Sequence, residues 1–139
     1  MPIFRSAIFL SVLTASSVFA QQKPEVAWLI YPDQQNSPAV EIWAHPSGKR
    51  EFVWRLVTQE GSVLAEMREP PLPKGFSFNQ GQCKIEGKFR HDVIAMVKHS
   101  EGAQWSKHVS HVWVVTPLTK SFAPVSTRRV VCLNEGWGV

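Results

Sequence analysis

The chain has little charge, little acid and almost no thiol. Charged residues make up 19% of its 139 positions, the cysteines number two, and Tyr31 is the one tyrosine. Asp33 and Asp92 are the only aspartates. So low a charged fraction, beside 44% hydrophobic residues, excludes a disordered polyampholyte and a coiled coil, and the length suits one domain rather than a multidomain enzyme. Past the N-terminus there is no long apolar block, which excludes a polytopic membrane protein. The motifs that announce common catalytic sites are also missing: no Gly-x-Ser-x-Gly, no Ser-x-x-Lys, no His-Glu-x-x-His and no phosphate-cradling glycine loop occurs. His91 beside Asp92 is a poor base and orienter, because adjacent residues on a strand point apart.

What is present begins with an address. A single cation, Arg5, precedes the apolar stretch from Ala7 to Leu13, and small residues follow to Ala20. The stretch is too short to span a bilayer, and Val18 and Ala20 occupy the −3 and −1 positions of a signal-peptidase site, so residues 1–20 read as a signal peptide cleaved after Ala20. An uncleaved N-terminal anchor is the rival reading. No second apolar span offers the mature chain a stable place in a membrane. Loss of Arg5 from fifteen cations and eleven carboxylates leaves a charge of +3 on the remaining 119 residues. That charge is not clustered. No basic run is longer than a pair such as Arg128–Arg129, too little for a nucleic-acid partner.

Export into an oxidising compartment, taken with two cysteines in the mature part, predicts a Cys83–Cys132 disulfide. Neither cysteine belongs to a Cys-x-x-Cys pair or sits beside a histidine, which weakens a thiolate or metal role.

Val, Ile, Thr, Phe and Trp fall in short runs punctuated by Pro and Gly, the pattern of an all-β domain over residues 21–139. Residues 40–45 alternate apolar and polar, residues 52–57 follow a turn at Pro46–Gly48, and residues 59–62 supply a hairpin turn before residues 63–68. Three prolines in residues 70–75 predict a surface connector in polyproline II conformation. Residues 93–97 are apolar without a break, which requires a central strand covered on both faces. The spacing of Trp105, Val109 and Val112 suggests a short helical turn before a strand at residues 111–116. The total is a mainly antiparallel sandwich or small open barrel of seven to nine strands, with that one short helix and one disulfide.

Six tryptophans are the most unusual feature of the composition. Trp28, Trp54 and Trp113 lie in apolar contexts and read as core. Trp43 shares a strand face with Glu41 and His45, opposite Val40 and Ile42, so it is expected to stay partly exposed and to suit a protein hot spot or a sugar-stacking platform, with plain packing as the bland alternative. Trp137, in the glycine-flanked tail after Cys132, either caps the domain or belongs to a recognition segment. Five histidines allow a metal site built from His108 and His111 with His99 or His91, but His108 and His111 share a side only if their segment is helical.

The reading that follows is an exported periplasmic protein without catalytic activity or cofactor, which recognises another protein in an inhibitor, immunity or assembly role through Glu41, Trp43, His45 and Trp137. A histidine-based metal-binding protein of the envelope is the second reading, and a glycan-acting enzyme the third.

Overall fold

The computed structural model describes residues 22–47, 50–98 and 102–134. The leader and its cleavage point, His99 and Trp137 lie outside the described residues. Among the described residues twelve strands form three antiparallel sheets: β1 (Val26–Leu29), β2 (Ala39–Ala44), β3 (Phe52–Val57) and β4 (Val63–Arg68) make an N-terminal meander in the order β1-β2-β3-β4. The second sheet is ordered β11-β10-β8-β5, from β5 (Phe76–Gln80), β8 (Val93–Lys98), β10 (Val109–Thr116) and β11 (Ser121–Val125). The third is ordered β7-β6-β12-β9, from β6 (Cys83–Ile85), β7 (Lys88–Arg90), β9 (Trp105–Ser106) and β12 (Val130–Leu133).

The second sheet lies in the middle, and period-two alternation explains why it must. From β8 and β10, the residues Ile94, Met96, Trp113 and Val115 join Trp54, Leu56, Val40 and Ile42 of the meander in one core. Their strand neighbours Val93, Ala95, Val97, Val112 and Val114 enter a separate core with Val130 and the two cysteines. The unbroken apolar run of β8 is thus covered on both sides, as its composition requires.

The meander core is built around the indole of Trp54, which has no exposed surface. Phe78 and Trp113 meet it edge-on, with ring centroids 5.1 and 5.2 Å away, and Phe122 lies at 5.9 Å. Such perpendicular pairs set the positive edge of one ring against the negative face of another, adding about 0.5–1.5 kcal/mol per pair beyond area burial.

The third sheet is small and stapled. Cys83 and Cys132 are register partners on β6 and β12, and the disulfide between them joins the two strands. β6 and β7 turn through Glu86 and Gly87, whose φ values of 52° and 79° are those of a two-residue hairpin turn with both central residues left-handed.

Two sequence expectations change. No helix occurs among the described residues: in place of the helical turn, Trp105 and Ser106 pair with β12, and β10 starts at Val109 with a bulge before His111. The strands among the described residues number twelve rather than seven to nine, because Phe76–Gln80 and the two-residue β9 also pair and residues 83–89 divide at the Glu86–Gly87 turn into β6 and β7. The hairpin between β3 and β4 forms through residues 58–62, and residues 70–75 carry the chain from the first sheet to the second.

Gly81 is a position where only glycine fits. Its φ is +73°, and an added Cβ would meet Trp28 Nε1 at 2.8 Å and the His91 carbonyl oxygen at 3.1 Å. The same two groups are joined by a hydrogen bond from the Trp28 indole to that carbonyl, at 2.9 Å. Gly81→Ala is therefore expected to cost about 1–3 kcal/mol, read as a lowered urea midpoint at unchanged slope.

Candidate binding surface

The outer face of the meander carries the sequence-predicted residues Glu41 and Trp43. Ile42 points into the core, so its neighbours on β2 point out. Trp43 is half-buried, and its indole N–H donates to Glu41 Oε2 at 2.7 Å. Arg55 on β3 stands directly opposite Glu41, and its guanidinium carbon lies 5.4 Å from the Trp43 ring centroid. The next strand supplies Glu66, opposite Arg55, whose carboxylate accepts from Arg55 Nε at 2.9 Å. Cross-strand register thus builds a row Glu41, Arg55, Glu66 with the Trp43 ring laid against its cation. Each contact is worth only a fraction of a kilocalorie at such exposure, but together they hold four long side chains in one geometry.

His45 does not join the row. It lies past the end of β2, where Nδ1 accepts from the Ser47 amide at 3.2 Å and stands 3.9 Å from Glu51 Oε2. The sequence singled out Glu41 and Trp43 but missed Arg55 and Glu66, which became neighbours only through the register of β2, β3 and β4. The signal was the alternation of residues 52–57, which sets Arg55 on the water-facing side.

Of the histidines considered for metal, those among the described residues lie in different settings. His108 precedes β10 in an exposed connection, while His111 lies on β10 with its ring stacked on Trp113 at 5.8 Å and its Nδ1 near Ser110 Oγ. His91 Nδ1 is 3.1 Å from the Gly81 carbonyl oxygen. Among the described residues no three His, Cys, Asp or Glu side chains gather as a metal-holding group.

A carboxylate of interest lies elsewhere. Glu69 follows β4 in a cleft of about 380 Å³ shared with Arg50, Arg68 and Leu72, and its Oε1 accepts the indole N–H of the buried Trp54 at 3.0 Å. Burial pushes the Glu69 carboxyl above its ordinary value of 4.5, and the Trp54 hydrogen bond opposes that shift without cancelling it. A carboxyl raised on folding contributes stability that is complete below its unfolded value and is lost as pH rises through the folded one. The contribution of this carboxyl is therefore expected to fall as pH rises above the ordinary carboxylate range. Glu69→Gln keeps an oxygen for the Trp54 N–H and is expected to flatten that slope, as read by melting temperatures across the range.

Comparison with known proteins adds no assignment: no family model matches the chain, no curated protein matches it and no solved structure matches it.

Proposed function

We propose that this protein acts by binding another protein, without catalysis, in the periplasm, after export by a leader over residues 1–20 that is cleaved behind Ala20. The observation that carries the reading is the Trp43–Arg55 pair on the outer face of the meander, held from both sides by Glu41 and Glu66. Trp and Arg are the residue types that dominate protein–protein binding energy, and fixing their rotamers beforehand removes part of the ordering entropy that association would otherwise cost. The disulfide supports the compartment, since such bonds persist where thiols are oxidised.

The test is affinity capture from a periplasmic extract on immobilised mature protein, with a partner identified by mass spectrometry and then titrated. Trp43→Ala and Arg55→Ala are each expected to weaken the identified partner by about 30-fold, the ~2 kcal/mol of a hot spot. Both side chains lie outside the two cores, so the melting temperature is expected to move by less than ~4 °C. Unchanged capture by both variants would remove this surface from the binding site. The same material is expected to give an intact mass for a chain starting at Gln21.

A further inference from the structure

At the other end of β2 from Trp43, the turn that leaves β1 faces the strand β7, and between them lies a cavity of about 290 Å³. That is close to the lower bound of ~300 Å³ for small-molecule pockets, room for one ring-sized ligand and little more. One wall is aromatic: the Phe89 ring is 45% exposed and stands edge-on to the His91 imidazole at 4.8 Å. The other wall is polar and fixed. Arg90 donates from Nε and Nη2 to the two oxygens of Asp92 at 2.9 and 2.7 Å, and Asp92 is itself 8% exposed. This bidentate fork holds both groups planar while leaving further guanidinium N–H donors and carboxylate lone pairs unused by it. The phenol of Tyr31 lies in the field of the same pair. Burial first, and then the Asp92 charge, raise its pKa, so it remains a protonated donor. Asp33 and Gln34 complete the rim from the turn, which is pinned by the Gln34 amide donating to the Tyr31 carbonyl and the Tyr31 amide to Ser37 Oγ.

The charges select the ligand class. An organic cation would be drawn to the aromatic ring and to Asp33, yet it would face the Arg90 guanidinium across a small space. An anion would meet Asp33 and Asp92. A neutral polyhydroxyl ring meets neither repulsion: its apolar C–H face can lie on Phe89, and its neighbouring hydroxyls, each donor and acceptor, match the planar groups of Arg90, Asp33 and Gln34. We propose that this cavity is a binding site for a single pyranose unit of a neutral glycan, stacked on Phe89 and hydrogen-bonded by Arg90, Asp33 and Gln34. The site is separate from the Trp43 surface and stands whether or not that surface binds a protein.

The experiment is an amide chemical-shift titration of the mature, disulfide-bonded protein with the methyl pyranosides of glucose, galactose and N-acetylglucosamine, and with tetramethylammonium as the cationic control. At least one sugar is expected to give saturable shifts confined to residues 30–34 and 89–92, with a Kd of about 1 mM, the affinity of a few well-placed contacts. Phe89→Ala is expected to weaken it at least tenfold, and Phe89→Leu, which keeps the apolar bulk without the ring, to do nearly the same. Asp33→Ala tests the polar rim on an exposed side chain, and Trp43→Ala is expected to leave the sugar shifts unchanged. No saturable shift with any of the three sugars, shifts that survive all the Phe89 and Asp33 variants, or saturation by tetramethylammonium alone would overturn the proposal.

Discussion

A strand that is apolar on both faces needs a wall on each side, and β8 is such a strand. Much of the architecture follows from that requirement. With Val93, Ala95 and Val97 directed one way and Ile94 and Met96 the other, a two-layer sandwich would leave one set in water. The meander covers the first side with a broad aromatic core. The cover on the second side is made of strands two to four residues long, far too short to hold a sheet by themselves. A covalent bond between opposed residues of β6 and β12 makes that layer viable. Bridging a loop of this size is worth up to about 4 kcal/mol in the chain-entropy account. The disulfide is thus a structural partner of the apolar run in β8, since without the third sheet half of that run would be wet.

Polar groups inside the domain are placed with equal economy. The Trp54 ring needs complete burial for its three aromatic contacts, and its N–H then needs an acceptor away from water. Glu69, immediately past β4, reaches it at the expense of its own hydration. Asn79 serves the junction of the second and third sheets in a similar manner: it is 2% exposed, donates to the Leu133 carbonyl at 3.0 Å and accepts from the Gln82 amide at 3.1 Å. Among the described residues no buried side-chain nitrogen or oxygen is left without a partner.

The β class, the disulfide, the central position of residues 93–97 and the hairpin at residues 59–62 were all legible in the sequence, because each rests on short-range pattern or on a count with one solution. What escaped depends on long-range register. Trp105 and Val109 have helical spacing, yet the segment pairs with β12 through Trp105 and Ser106, a contact no local periodicity can anticipate. Arg55 and Glu66 lie eleven residues apart and meet only across β3 and β4. The cavity beside Phe89 joins residues near 31 to residues near 90, and the pairing of Arg90 with Asp92 was hidden by the more conspicuous His91 between them. Glu41 and Trp43 come together because two residues along one strand share a face, whereas His45 lies past the end of that strand at Ala44.

The position of the disulfide along the chain has a mechanical consequence. Cys83 and Cys132 enclose a separation of 49 residues that contains β8, β10 and β11, three of the four strands of the middle sheet. Tension applied between the two ends of the oxidised domain passes along the backbone through the sulfur bridge, so the enclosed segment cannot be drawn out. Stretching would peel away the meander and β5 and leave a covalently looped remnant, whose release in full length requires a reductant rather than more force.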